Sequence, residues 1–356
     1  MKGIKLRKTL VLFLCLFLLT VFNVMAGGEK EAPAEAPAPP AAPAAQSGDT
    51  WVPLPVAPLA DGYPERTITI VAPFGYGGGW DTFGRALVLA MRKDRRIGFE
   101  LINKPGGDGI TALNYVNEEP ADGYTVMGLE GSITIAMAEG KTNLSVIDDF
   151  IPIIKAVETP MAIYTKVDSP YKTFQDLIAA IKKDPNLPIG ATDAAGGFFN
   201  IACLKIFKNA GVDIKYVSFG GEASRTITAA LGGHIAAVLD VVTVFDPHVQ
   251  SGRMRPLLAL TDERLPQYPD IPTAKELGLD TGMPKHWRGF AVKKGTPADR
   301  VELIKKVLLN GLHSSLFTAT AKDNNMVVSI VEGDALMEFL KGQVNTFETI
   351  LHDIKN

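Results

Sequence analysis

Thr67-Ile68-Thr69-Ile70-Val71-Ala72, running into Pro73-Phe74-Gly75-Tyr76-Gly77-Gly78-Gly79-Trp80-Asp81, is the stretch whose reading decides the fold. The first six residues are β-branched or small and form a short strand, and the glycines then turn the chain. Asp81 is placed to cap the helix that follows, whose apolar side carries Phe83, Leu87, Ala90 and Met91 at helical spacing. The same order of strand, Gly-rich turn and helix recurs outward from here. Phe99 to Asn103 reads as a strand, Lys104-Pro105-Gly106-Gly107-Asp108-Gly109 as its turn, and a helix runs through Tyr115 and Val116. Tyr124 to Leu129 is a third strand. Strands alternating with helices through short loops imply an α/β fold with parallel βαβ units and helices on both faces.

Phe150 to Thr165 holds two extended runs broken at Glu158-Thr159-Pro160, which reads as a crossover into a second lobe. There Ser169 to Lys183 reads as a helix, Leu187 to Ala191 as a strand, and Thr192 to Gly197 as a turn before a helix ending at Ala210. Ile214 to Ser218 is a strand ending in Phe219-Gly220-Gly221, and Ile235 to Leu239 is another that ends at Asp240. The chain then returns through the strand Trp287–Val292. Thr296-Pro297-Ala298-Asp299 reads as a helix start, and the final helix, from Asp334, carries Leu336, Phe339, Leu340, Val344 and Phe347 on one side. Lobe 1 is expected at 63–160 plus 286–356, and lobe 2 at 161–285. About 290 residues exceed what one hydrophobic core serves, which agrees with two lobes.

The beginning of the chain sets the compartment. Lys2, Lys5, Arg7 and Lys8 precede an apolar run from Thr9 to Phe22, and Val24-Met25-Ala26 supplies the small residues of a signal-peptidase site. Residues 1–26 are therefore expected to be a signal peptide, with a retained anchor as the alternative, and the location extracytoplasmic or periplasmic. Residues 27–62, rich in Ala, Pro and Glu, read as an extended, disordered linker, either a tether or a tolerated tail. The net charge of −3 offers no basic field for nucleic acid. Of the two cysteines, Cys15 lies in the signal and Cys203 in an apolar helical stretch, so Cys203 reads as a core thiol rather than a nucleophile.

In an open α/β sheet, ligands bind beyond the carboxyl ends of the strands, where helix N-termini attract anions. Three Gly-rich loops have that position, Gly75–Trp80, Ala194–Gly197 and Gly220-Gly221, and the first two are expected to face each other and grip a carboxylate. The first loop lacks both the dinucleotide and the phosphate-loop patterns, since Trp80 stands where a third glycine belongs and no Lys-Ser or Lys-Thr follows. The five histidines form no metal-binding pair, no Gly-x-Ser-x-Gly elbow occurs, and no cofactor is implied. His286 reads as structural or hinge-lining. The sequence thus nominates no catalytic constellation, and a carboxylate-transforming enzyme or an adhesive envelope protein are the rival classes.

Val71-Ala72-Pro73-Phe74, Gly77-Gly78-Gly79-Trp80-Asp81, Asn103-Lys104-Pro105-Gly106-Gly107, Pro120-Ala121-Asp122-Gly123-Tyr124-Thr125, Leu231-Gly232-Gly233-His234-Ile235, Tyr268-Pro269-Asp270-Ile271-Pro272-Thr273 and Gly295-Thr296-Pro297 occur in this order. Together they resemble the substrate-binding proteins of tripartite tricarboxylate transporters, the TctC or Bug family. The resemblance implies a two-lobed periplasmic-binding-protein fold of the Venus-flytrap, type II-like class, with each lobe a sheet flanked by helices. It implies a monomer that is not an enzyme, closes on an organic acid and delivers it to a membrane permease. Family ligands include di- and tricarboxylates, amino acids and aromatic acids. Ligand contacts are expected at Phe74, Gly77, Gly78, Gly79, Trp80 and Asp81 in the first loop, and at Ala195, Gly196, Asn200 and Gly220 in lobe 2. Asp240 reads either as an acceptor for a ligand hydroxyl or ammonium or as a structural cap. Arg288 reads as the cation for an extra carboxylate or as a member of an ion pair. Phe198 and Phe199 depart from the family's usual residues, and read either as room for an apolar ligand portion or as packing beneath the loop.

Overall fold

Residues 51–92, 97–279 and 282–355 are described by the structure, a computed structural model. The expected signal peptide and the expected linker up to residue 50 lie outside the described residues. The opening stretch folds as read: β1 (Ile68–Ala72) leads to α1 (Gly79–Met91), β2 (Phe99–Asn103), a 3-10 turn at Gly107–Gly109 and α2 (Ile110–Glu118). β3 (Thr125–Glu130) follows, then α3 (Gly131–Ala138) and β4 (Phe150–Thr159). Pro160 carries the chain into the second sheet. There β5 (Met161–Lys166), α4 (Phe174–Lys183), β6 (Pro188–Ala191), α5 (Phe198–Asn209), β7 (Lys215–Ser218), α6 (Ala223–Gly232), β8 (Ala237–Val241), α7 (Val242–Gln250) and β9 (Met254–Leu260) succeed one another. The chain returns as β10 (His286–Lys293), α8 (Ala298–Leu312), α9 (Ser315–Asp323), β11 (Val327–Val331) and α10 (Gly333–Lys355).

Two sheets result, each flanked by helices. The strand order is β11-β4-β10-β3-β1-β2 in the first and β7-β6-β8-β5-β9 in the second. β1 is parallel to both β2 and β3, as the βαβ reading requires, whereas β10 is antiparallel to β3 and β4. The returning strand is thus inserted at the centre of the first sheet. This sets Arg288 opposite Glu130 and opposite Val157, at the strand ends nearest the second sheet.

Four local readings are corrected. Asp81 lies in the first turn of α1, which begins at Gly79; its carboxylate accepts from Gly77 N–H at 3.0 Å and Arg85 Nε at 2.9 Å. α4 begins at Phe174 rather than Ser169, because Thr173 and Asp176 form a reciprocal capping box. The expected linker is packed from Trp51 on: Trp51 stacks on His313 at 3.8 Å, Leu54 exchanges two hydrogen bonds with Asn310, and Val56 is buried. These apolar residues supply burial that the preceding Ala/Pro/Glu run lacks. Finally, α10 does not belong to one lobe. Leu336 and Leu340 join the core of the first sheet, while Phe347, Ile350 and Leu351 join that of the second, with Phe347 edge-on to Phe198 at 5.8 Å.

Cys203 is fully buried in the second core, and burial holds its thiol far above its ordinary range, as an inert core residue requires.

Candidate functional site

Where the sheets meet, the carboxyl ends of β1, β3, β6 and β8 converge on a cavity of about 20 Å³, room for roughly one water. Of the expected residues, Phe74, Gly78, Gly79, Trp80, Asp240 and Arg288 line it. Gly77, Asp81, Ala195, Gly196, Asn200 and Gly220 do not. Glu130, Thr192, Gly221, Ala223 and His286 line it without having been singled out as ligand contacts, and Phe199, read as possible room for an apolar ligand portion, lines it too. A larger groove of about 670 Å³ lies beside the crossovers, between Pro160 and Lys285, away from the Gly-rich loops.

The facing of the loops also differs from expectation. Opposite the Gly75–Trp80 loop stands the Gly220-Gly221 turn, not the Ala195-Gly196 loop: Gly75 N–H donates to the Gly221 carbonyl at 3.3 Å. A methyl on Gly78 would meet the Ala223 Cβ at 3.3 Å. The Ala194–Gly197 loop instead faces the second Gly-rich loop of lobe 1, where Asp108 accepts from Ala194 N–H at 3.0 Å.

The two helix starts are not equivalent as anion sites. At α5 the Asp193 carboxylate already accepts from Phe199 N–H at 2.6 Å and Asn200 N–H at 3.2 Å, and Asn200 Oδ1 takes Gly196 N–H at 2.7 Å. The leading N–H groups of that helix are thus already taken by the chain's own side chains. At α1 no side chain caps the first turn, so its leading N–H groups remain without intrahelical partners. The Arg288 guanidinium lies against it so closely that a Cβ on Gly79 would clash with Nη2. Glycine at 79 is needed for this approach.

Arg288 is 1 % exposed; Nη1 donates to Thr159 Oγ1 at 2.6 Å, and Nε has no partner. Burial lowers its pKa to about 10 against the opposing pull of Glu130 and Asp240, so it stays a cation. An uncapped helix start and a buried guanidinium thus converge at one wall. Their combination suits a carboxylate, which accepts from both backbone N–H groups and a planar fork.

Trp80 lines the cavity and also anchors the core of lobe 1. Its ring is edge-to-face with Phe83 and Phe290, and a Cβ on Gly128 would clash with it. Burying a ring of this size stabilises lobe 1 by roughly 2–3 kcal/mol. Phe198, wholly buried, packs on His286 and Phe347, whereas Phe199 stacks on His286 at 5.1 Å and forms part of the cavity wall. His286 is 1 % exposed, and burial lowers its pKa.

Asp240 accepts from Val241 N–H at 2.7 Å and from the Thr192 hydroxyl. Burial nevertheless pushes its carboxyl up to about 6, against the opposing pull of those bonds and of Arg288. Between about pH 4 and pH 6 the folded protein therefore keeps a proton that the unfolded chain has released. The ionised form costs stability, and the cost grows as pH rises through that window. Asp240→Asn should then gain on the wild type across pH 4–6 and level off at about 3 kcal/mol or less. Chemical denaturation of both proteins at pH 4, 5, 6 and 7.5 measures this, and a constant difference across that range would refute it.

The model of the tripartite tricarboxylate transporter family receptor, TctC, matches residues 85–355. The chain belongs to this receptor family. BugT of Bordetella pertussis is 23% identical over 297 residues, covering 83% of this chain and 91% of BugT. MatC from Rhodopseudomonas palustris, solved with bound malate, superposes with a TM-score of 0.74 at 23% identity, covering 81% of this chain and all of MatC. A second R. palustris protein, solved with adipate, gives a TM-score of 0.74 at 22% identity, covering 82% of this chain and 98% of its own. At such identities these likenesses show the fold, a two-lobed periplasmic binding protein. As a TctC receptor the chain is an extracytoplasmic solute receptor and not an enzyme.

Proposed function

We propose that this receptor captures a small di- or tricarboxylate between its lobes, 63–160 plus 286–332 and 161–285 with α10 packed across both, and delivers it to a tripartite tricarboxylate-type permease. In this reading residues 1–26 direct export and the receptor works as a monomer. The observation that carries the proposal is the meeting of the uncapped start of α1 with the buried Arg288 guanidinium at a cavity shared by both lobes. Two-lobed relatives solved with malate and with adipate support the ligand class. One carboxylate is held by the α1 N–H groups and Arg288. Lobe 2 completes the enclosure through Asp240, Phe199 and the Gly221 turn.

A thermal-shift screen of di- and tricarboxylates tests this. Ligand present at 100 times its Kd should stabilise the fold by about 2.7 kcal/mol, seen as a rise of several degrees in Tm. Absence of any shift across C4 to C6 di- and tricarboxylates would remove the proposed ligand class. Consumption of the added acid during the assay would contradict a pure receptor.

A further inference from the structure

The uncapped helix start and Arg288 account for one carboxylate, but the cavity holds a second polar feature that they leave unexplained. Glu130 ends β3 and is 4 % exposed, yet its carboxylate makes no capping hydrogen bond to α3, the helix it precedes. His286 Nε2 stands 3.6 Å from it. Both ring nitrogens of His286 are buried without a hydrogen-bond partner, and the ring is held by Phe198 and Phe199 so that it cannot swing to find one. Asp240 differs from Glu130 in this respect, since Thr192 and Val241 already satisfy it.

A buried carboxylate short of donors is costly, and it cannot take a further hydrogen bond from a ligand carboxylate, which is itself an acceptor. We propose that Glu130 is a specificity-determining residue that accepts a hydrogen bond from a donor group on the ligand, a hydroxyl or an ammonium beside the carboxylate held at Arg288. His286, neutral and able to offer one N–H and one ring acceptor, lies on the same wall and can share that group. An acid without such a donor closes the cleft over a Glu130 carboxylate still short of one. Sites built to bond a hydroxyl reject the analogue lacking it by large factors for this reason. The inference rests on the carboxylate reading above and narrows it.

Isothermal titration of full-length mature protein with matched sets decides it: succinate, malate and aspartate, then glutarate, 2-hydroxyglutarate and glutamate. In at least one set, the hydroxy or amino acid should bind about 100-fold or more tightly than the plain acid. Glu130→Leu should reduce that ratio to below about tenfold. Glu130→Gln, which keeps an acceptor and loses the charge, should preserve preference for the hydroxy acid while lowering that for the amino acid, and the ranking of those two separates the sources of the donor. Should Glu130→Leu fail to fold, the wild-type ratios and the Gln variant still decide. Plain acids binding as tightly as their donor-bearing partners, or an unchanged preference in the Leu variant, would overturn the role of Glu130 and leave the carboxylate reading standing. Binding of none of the six would overturn both.

Discussion

Arg288→Met should abolish carboxylate binding, raising Kd by at least about 100-fold. The guanidinium is the only cation lining the cavity among the described residues, and it lies against the uncapped start of α1. Charge-assisted bonds in a water-poor site account for several kcal/mol, of which two to three already give this loss. The substitution also removes the positive charge that faces Glu130 and Asp240, so the fold itself should lose stability, by about 3 kcal/mol. Arg288→Lys separates the two effects. It keeps a charge between the carboxylates and should recover most of the stability, but an ammonium cannot hold Thr159 and a ligand carboxylate in the same planar fork. Affinity should therefore stay about tenfold or more below wild type. Calorimetric titration with urea unfolding on the same samples measures both, and wild-type affinity in Arg288→Lys would remove the fork from the account.

Gly79→Val should be equally damaging by a different route. A Cβ there would stand 2.9 Å from Val241 Cγ2 in lobe 2 and would clash with Arg288 Nη2 in lobe 1. The side chain therefore displaces the ligand's guanidinium partner and blocks the approach of the opposite lobe. A loss of at least about 100-fold in affinity is expected. Two neighbours calibrate the effect. Gly78→Ala would bring a methyl to 3.3 Å from the Ala223 Cβ, a contact that a small movement of the turn relieves, so its loss should be several-fold. Gly77 has φ of 73° and open space around its Cβ position, so Gly77→Ala should cost backbone strain of about 1 kcal/mol in stability rather than affinity. An order of effects other than 79 above 78 above 77 on Kd would contradict the placement of α1 against lobe 2.

The parts of the fold that were legible are those set by local pattern. β1, the Gly75–Trp80 turn and α1 can be read directly, because strand period, turn residues and helix spacing lie within 25 residues of one another. α3 could not be found this way. Gly131 to Ala136 are buried on all sides, so no polar face marks a helix, and the β-branched Ile133, Thr134 and Ile135 imitate a strand. Missing α3 hid Glu130, although a signal for it existed: like Asp240, it is an acidic residue at the end of an apolar strand. Which loops face each other depends on how the two sheets are set together, and nothing local encodes that. The Ala194–Gly197 loop has the composition of an anion site, but the upstream Asp193 fills it, an internal cap visible only once the chain is folded. Trp80 combines both readings, since it lines the cavity beside the Gly-rich loop while its ring completes a core around Gly128.

Capture between moving lobes must contend with α10. Besides the crossovers at Pro160 and His286, this helix packs on both cores, so opening must carry its Phe347 end with one lobe or slide it over Phe198. A ligand that touches both lobes favours the closed arrangement and shifts the population towards it. Small-angle scattering on the mature protein, free and saturated with the tightest carboxylate found, tests this most directly. A smaller radius of gyration is expected with ligand than without it, as the Gly75 and Asp108 loops approach the Gly221 and Ala194 loops of the other lobe. A tightly bound carboxylate that leaves the scattering curve unchanged would contradict it.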